Sequence, residues 1–180
     1  MFALLTDHSD TDTTGWLMSE KLDGWRVMWT GSAYITRAGK TLDAPRSWYR
    51  GMPKTAIDGE LFGGHGSLWE IKGMMRKGWK GLTFRPFDAP THPGAFADRL
   101  AHLQTLRLPA HCQLITHRVC EGISDLQAFA VGVYAQGGEG AVVRDPGAVY
   151  AAGRTKSIQR LVPYPLSLHR RLVVDRKSVV

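Results

Sequence analysis

Two short segments joined by a turn constrain the fold of this chain most. The six residues 25–30 read "WRVMWT". In them Trp25, Val27 and Trp29 alternate with the arginine, the methionine and the threonine. This period of two is typical of a β-strand. Residues 31–32, "GS", suit a hairpin turn, and residues 33–37, "AYITR", would return as the partner strand. The pattern therefore predicts an antiparallel hairpin near the N-terminus.

The rest of the chain adds short strands and two amphipathic helices. Buried strands are predicted within residues 55–64, 81–90, 113–119 and 139–146. One helical stripe consists of Phe96, Leu100, Leu103 and, less regularly, Leu106. A second helix is predicted to start at Ser124, with Gln127 completing a capping box, and to end at residues 137–138, "GG". Many strands with separate helices indicate an α+β fold with mostly antiparallel sheet.

Composition limits the class of protein. A chain of 180 residues with 43% hydrophobic and 22% charged residues is long enough for one domain with a core, or one domain plus a short appendage. Cys112 and Cys120 form neither a metal motif nor a disulfide framework, which fits a reducing compartment. The sequence has no secretory leader pattern and no membrane-length apolar run, so we expect a soluble, cytoplasmic protein that does not bind membranes.

Positive charge is concentrated near the C-terminus. Seven bases and one acid, Asp175, lie between Arg154 and the last residue, whereas the preceding chain is nearly balanced. Pro163 and Pro165 mark a boundary, which predicts one domain over residues 1–162 and a basic tail over residues 163–180. The tail is either a surface for phosphate backbones or a solvated segment that aids solubility.

Three segments place charged side chains beside predicted buried strands. They contain Lys21 with Asp23, Asp58 with Glu60, and Glu139 with Arg144. A charge beside a buried strand needs a partner. The three segments together could form a structural ion-pair cluster. They could equally hold a nucleophilic lysine whose carboxylates bind a divalent cation over a phosphate.

Taken in order, these motifs resemble those of the covalent nucleotidyltransferases, the superfamily of ATP-dependent DNA ligases, RNA ligases and mRNA capping enzymes. "KLDGWR" at residues 21–26 resembles the first motif, KxDGxR. It is followed by "TRAG", "IDGEL", "FRPFD" and "EGAVVR", with order and spacing that fit the superfamily over about residues 17–162. The sequence around these motifs is most similar to that of the small bacterial and phage ATP-dependent DNA ligases of the E type.

The resemblance implies a fold and a set of site residues. The implied fold is an α+β, mostly antiparallel-sheet nucleotidyltransferase domain, an ATP-grasp-like ligase adenylation domain. Lys21 would be the catalytic residue that attacks the α-phosphate of ATP and becomes linked to AMP. ATP and Mg²⁺ are the implied cofactors. The residues implied to bind the nucleotide are Glu20, Arg26, Glu60, Phe87, Glu139 and Arg160. Glu60 and Glu139 would also bind the metal, and Phe87 would stack on the purine unless it is an ordinary core residue.

The implied partner is nicked duplex DNA, bound by a monomer. The residues assigned to nucleic-acid binding are Arg37, Lys156, Arg170 and Arg171. Three alternatives stay open from the sequence: an RNA ligase, a capping enzyme, or a nucleic-acid-binding relic that keeps the fold without the chemistry.

The sequence departs from the family in two places. The fifth motif, "GRSxxLLKVKP", reads "GRTKSIQRLVP" here, so Arg160 and Val162 stand where lysines are usual. Arginine keeps the charge but not the geometry of an ammonium, and valine keeps neither. The second departure is length: an OB-fold domain of roughly 70 residues usually follows, and it is expected to be absent or vestigial here. Self-adenylation is therefore the least secure expectation.

Overall fold

The computed structural model describes residues 1–9 and 11–163, in which nine strands and four helices are formed. The strands are β1 (Ala3–Asp7), β2 (Leu17–Lys21), β3 (Trp25–Trp29), β4 (Tyr34–Thr36), β5 (Ile57–Phe62), β6 (Thr83–Asp88), β7 (Arg118–Val119), β8 (Gly140–Arg144) and β9 (Gly153–Leu161). The helices are α1 (Arg46–Tyr49), α2 (Ile71–Arg76), α3 (Phe96–Thr105) and α4 (Ile123–Ala135).

The strands form two sheets, and neither closes into a barrel within the described residues. One sheet has the order β1-β9-β8-β2-β7, and the other has the order β4-β3-β5-β6. All neighbours pair antiparallel except β1 and β9, which are parallel. The prediction of an α+β fold with mostly antiparallel sheet is confirmed.

The four-stranded sheet contains the predicted hairpin. β3 and β4 pair with Val27 opposite Thr36, and the turn between them is closed by the Thr30 amide, which donates to the Ala33 carbonyl at 2.9 Å. Because side chains alternate across a strand, the two faces of this sheet have different chemistry. One face packs apolar residues of β3 and β5 into the largest core cluster, beneath α1, α2 and α3. The other face presents Arg26, Asp58 and Glu60 toward the five-stranded sheet.

Several sequence predictions are corrected by the structure. Helix α4 begins one residue before Ser124, with Gly122 at its N-cap and no side-chain capping bond, so the predicted capping box is wrong. The strand predicted over residues 113–119 is reduced to the two residues of β7. Upstream of β7, the Gln113 and Ile115 amides donate instead to carbonyls of β6. Strands β1, β2 and β9 and helices α1 and α2 were not predicted.

The predicted basic tail falls almost entirely outside the described residues. Residues 164–180 include Pro165, Arg170 and Arg171, so the tail and these two candidate contacts stay predictions. Within the described part of the chain, no helix is long and apolar enough to cross a membrane.

Candidate active site

A cavity of about 330 Å³ lies between the two sheets. Seven of the residues singled out from the sequence line it: Glu20, Lys21, Arg26, Arg37, Glu60, Phe87 and Arg160. Glu139 accepts a hydrogen bond from Lys21, which lines this cavity. Lys156 is exposed and does not line the cavity. The structure therefore brings together most of the residues that the resemblance assigned to a single site.

Lys21 is the last residue of β2 and lies opposite Gly140 of β8. Glu139 directly precedes Gly140, so the antiparallel register places the two side chains together although 118 positions separate them. The Lys21 Nζ lies 2.6 Å from the Glu139 Oε2, and their side chains are only 14% and 5% exposed. The sequence grouped Lys21 with Asp23 and Glu139 with Arg144, whereas the structure pairs Lys21 with Glu139.

The turn after Lys21 requires a glycine. Residues 22–24 carry the chain from the five-stranded sheet to the four-stranded sheet, where β3 begins. A Cβ at Gly24 would lie 2.3 Å from the Leu61 carbonyl oxygen and 2.6 Å from the Glu60 Cγ. Because only glycine permits this approach to β5, Gly24 allows Lys21 and Arg26 to reach the same cavity from different sheets.

Arg26 is fixed by a buried carboxylate. Its Nε and Nη2 atoms donate to both oxygens of Asp58 at 3.1 and 2.6 Å, and the Tyr150 hydroxyl donates to the same carboxylate at 2.9 Å. Asp58 is completely buried. Burial disfavours the charged form of Arg26, but the Asp58 carboxylate outweighs it and the pKa of the guanidinium is raised. Arg26 is thus held as a cation with a fixed orientation.

Glu60 lies opposite Arg26 in the register of β3 and β5. Burial raises the pKa of the Glu60 carboxyl to about 8, although the charges of Arg26 and Lys21 act in the opposite direction. Burial therefore disfavours the Glu60 anion more than the charges of Arg26 and Lys21 favour it.

Phe87 forms part of the apolar end of the cavity. It packs with Leu22 and Ile115, and the Arg26 and Arg144 guanidinium carbons lie 5.2 and 4.8 Å from its ring centroid. Phe87 is 6% exposed. A planar purine would find apolar surface and an aromatic ring at this end of the cavity, which is compatible with the stacking role implied by the resemblance.

Arg144 is a cavity residue that the sequence interpretation did not assign to the site. It ends β8, its Nη1 donates to the Ser19 Oγ at 3.1 Å, and burial lowers its pKa to about 10. The sequence did contain a signal for Arg144, because this base ends "EGAVVR" and a charge beside a buried strand needs a partner. Leu4, Ile115, Val142 and Arg154 also line the cavity. Val142 and Arg154 stand in segments that the resemblance covers, but the sequence did not assign them to the site.

A bulge in β9 places two arginines on one wall of the cavity. Leu4 of β1 pairs with Arg154, but Thr6, two residues later, pairs with Gln159, so three extra residues of β9 loop out. Arg160 then pairs with Asp7, and its Nε donates to the Asp7 Oδ1 at 2.6 Å. Lys156 lies in the looped segment. The arginine in the altered fifth motif therefore does reach the cavity, while Val162 leaves the position of the other family lysine without a charge.

Glu20 is held by a histidine from another element. The His65 Nε2 lies 2.7 Å from the Glu20 Oε1, and the His65 Nδ1 lies 2.9 Å from the Gln136 carbonyl oxygen at the end of α4. Both neighbours are hydrogen-bond acceptors, so the doubly protonated ring makes both bonds. His65 thereby fixes the side chain beside Lys21.

The pH dependence of stability should report on His117, which lies behind the cavity. Burial, and then the charge of Arg144, lower the pKa of His117 to about 3 from an ordinary 6.5. Between these values the unfolded chain binds a proton that the folded chain excludes, so stability is complete above about pH 6.5 and falls toward pH 3. Between pH 7 and 4.5 we expect the free energy of unfolding to fall by about 2 kcal/mol less in His117→Phe than in the wild type. Urea unfolding at both pH values measures it, and equal losses in wild type and variant would contradict it.

Comparisons with known proteins found similarity to DNA ligases. No family model matches the chain. The chain is 35% identical over 165 residues to a DNA ligase of Haemophilus influenzae, a match that covers 88% of this chain and 62% of that relative. It therefore spans less than two thirds of the curated relative.

Solved structures of ligases share the fold. A Lig E DNA ligase superposes with a TM-score of 0.83 at 25% identity, covering 90% of this chain and 68% of that one. The adenylated DNA ligase of Chlorella virus gives 0.71 at 17% identity, over 89% of this chain and 67% of that one. The ATP complex of the bacteriophage T7 ligase gives 0.67 at 15% identity, over 89% and 68%. The last two show the fold alone.

The two sheets and their order have the fold of the DNA ligase adenylation domains. In sequence the chain is similar to a DNA ligase, and in structure it is similar to Lig E.

Proposed function

We propose that this chain catalyses ATP-dependent sealing of nicks in DNA through a covalent lysine–AMP intermediate. The observation that supports this most directly is the position of Lys21, whose Nζ is oriented by Glu139 at the cavity between the sheets. Cations surround that cavity, as a triphosphate requires. The basic residues that line it are Lys21, Arg26, Arg37, Arg144, Arg154 and Arg160.

The first step is attack of the Lys21 Nζ on the α-phosphorus of ATP. A nitrogen–phosphorus bond forms, the bond to the bridging oxygen of the β-phosphate breaks, and pyrophosphate leaves. An ammonium nitrogen has no lone pair, so Lys21 must first lose a proton, and the Glu139 carboxylate is in contact to accept it. The AMP then moves to the 5′-phosphate of a nick. Finally, the adjacent 3′-hydroxyl attacks that phosphate and AMP leaves.

Mg²⁺ fits the carboxylates of this site. Among the described residues, no group of three or more His, Cys, Asp and Glu side chains could hold a metal ion. Mg²⁺ needs only one or two carboxylates when phosphates and water complete its shell. Glu60, whose buried anion a cation would stabilise, and Glu139 are the residues that would hold it. The ion would neutralise phosphate charge near Lys21.

Nicked duplex DNA is the proposed partner, and we expect the chain to act as a monomer in the cytoplasm during replication, repair and recombination. The support for DNA is the likeness to the DNA ligase of Haemophilus influenzae and to Lig E, an enzyme described as binding DNA with a minimal scaffold. One observation favours a second candidate, a nucleic-acid-binding relic: Val162 removes a charge from the altered fifth motif.

The intact mass of the purified protein separates the two candidates. With ATP and Mg²⁺, we expect a gain of one AMP per chain. We expect EDTA to prevent the gain, because Mg²⁺ then no longer neutralises the phosphate charge. AMP attached during expression is removed beforehand by treating the protein with pyrophosphate and Mg²⁺, which reverses the first step. A wild type that neither carries nor gains AMP would favour the relic. Sealing of nicked DNA but not nicked RNA duplexes would then separate a DNA ligase from an RNA ligase, and use of GTP would indicate capping chemistry.

A further inference from the structure

The near balance of charge before residue 154 conceals a strongly basic surface. Between residues 37 and 80, nine bases are exposed, whereas Asp43 and Glu70 are the exposed acids. The exposed bases of this segment are Arg37, Lys40, Arg46, Arg50, Lys54, Lys72, Arg76, Lys77 and Lys80. The other two acids of the segment, Asp58 and Glu60, face the cavity on the opposite side of the sheet. Charge on this side of the molecule is therefore segregated and not balanced.

Helices α1 and α2 present most of these bases together. The rings of Trp48, from α1, and Trp79, which follows α2, meet with centroids 4.6 Å apart, and Trp48 and Ile71 are buried in the same core cluster. The outer faces of both helices are therefore neighbours. We name the six exposed bases on these helices and in the residues that directly follow them the α1–α2 basic surface: Arg46, Arg50, Lys72, Arg76, Lys77 and Lys80.

These six bases have no acidic partner. Within the described part of the chain, none of them takes part in an ion pair. Five other bases of the described chain do contact a carboxylate: Lys21, Arg26, Arg99, Arg118 and Arg160. Like charges gathered without counterions repel one another and favour a polyanionic ligand.

The spacing on α2 suits a phosphate backbone. Lys72 and Arg76 lie four residues apart on one side of α2, about 6 Å along the helix axis, so both side chains can contact phosphates of the same DNA strand. Trp69, which is 79% exposed, lies in the turn that precedes α2, three residues before Lys72. An aromatic ring beside two bases can contact a sugar while the bases contact the flanking phosphates.

The surface is continuous with the edge of the cavity. Arg37 lines the cavity and is exposed, and residues 38–45 lead from it directly to α1. We propose that the α1–α2 basic surface binds the phosphate backbone of duplex DNA beyond the nick. This inference rests on the proposed function only in taking DNA as the ligand. It does not depend on adenylation of Lys21.

The test is a salt series of DNA-binding titrations with a fluorescently labelled nicked duplex. The variant is K72A/R76A/K77A, in which alanine preserves helix propensity. Each lost phosphate contact lowers the slope of log affinity against log salt by about 0.9, so we expect the slope to fall by 2–3 and the affinity at 50 mM salt to fall at least about tenfold. The charge-conserving variant K72R/R76K/K77R should keep the wild-type slope, and so should Arg118→Ala, which removes an exposed base from β7 of the other sheet.

Two further readouts separate this inference from the proposed function. The triple alanine variant should gain AMP on Lys21 as the wild type does, because the substituted residues lie away from the cavity. If wild type fails to gain AMP but the salt slope still depends on the three bases, the surface stands and the catalytic proposal fails. Addition of DNA should also change the Trp fluorescence of the wild type but not of Trp69→Phe. An unchanged slope and affinity in the folded triple alanine variant would overturn the inference.

Discussion

Lys21→Arg should eliminate the AMP gain while leaving the protein folded. Arginine keeps the positive charge that Glu139, only 5% exposed, contacts at 2.6 Å. Its guanidinium stays protonated at any ordinary pH and has no free lone pair to attack phosphorus. Lys21→Ala should lose the gain as well, but it also leaves a buried carboxylate without this partner, which destabilises the fold. The arginine variant therefore separates loss of the nucleophile from loss of structure.

A pre-adenylated nick provides the control for this prediction. Joining such a nick requires the 3′-hydroxyl to displace AMP from the 5′-phosphate, and Lys21 forms no bond in that step. We expect Lys21→Arg to seal the pre-adenylated nick within about tenfold of the wild-type rate, while sealing of an ordinary nick with ATP falls below detection. Mass spectrometry and a gel assay of both substrates measure the two outcomes. An AMP gain in the arginine variant would place the nucleophile elsewhere.

Asp58→Ala should lower the free energy of unfolding by about 3–5 kcal/mol. Asp58 is fully buried and accepts two hydrogen bonds from Arg26 and one from Tyr150. Its removal leaves a largely buried guanidinium without a counterion, and this uncompensated charge is the main cost. Urea unfolding followed by circular dichroism measures the loss.

The exposed pair of Asp7 and Arg160 is the matched control for Asp58. Its geometry resembles that of the buried pair, with Nε 2.6 Å from the Asp7 Oδ1, but the Asp7 side chain is 80% exposed. Solvent screens such a pair, so Asp7→Ala should cost about 1 kcal/mol or less. Losses of equal size in the two variants would show that burial of the Asp58 pair does not determine its contribution.

The regular elements were predictable because their signals are local. The β3–β4 hairpin, strands β5, β6 and β8 and helix α3 all lie where alternation or a helical stripe placed them. The start of α4 was not predictable from Ser124, because Gly122 takes the N-cap position and the Asp125 carboxylate accepts the Glu121 amide. Ser124 and Asp125 are both residue types that can accept hydrogen bonds from amides at a helix N-terminus. The sequence alone does not show which of them does so, because it does not show the conformation of the preceding backbone.

The site was predictable to the extent that motifs carry it. Lys21, Glu60 and Glu139 stand in segments whose order resembles a known family, and the structure gathers them at one cavity. Arg154 and Ile115 were missed because their positions depend on contacts between distant segments. Arg154 reaches the cavity through the pairing of β9 with β1, and Ile115 reaches it through an irregular pairing with β6. Neither feature leaves a periodic signal.

The position of β9 determines when this cavity can form during synthesis. β9 is the last described strand, yet it lies inside the sheet between β8 and β1, the first strand of the chain. Closing a loop of this length is entropically costly, and folds dominated by such distant pairings form slowly. A nascent chain that has not yet released residues 153–161 from the ribosome would lack one wall of the nucleotide cavity. The order of the strands thus delays assembly of the surroundings of Lys21 until residues 153–161 have been made.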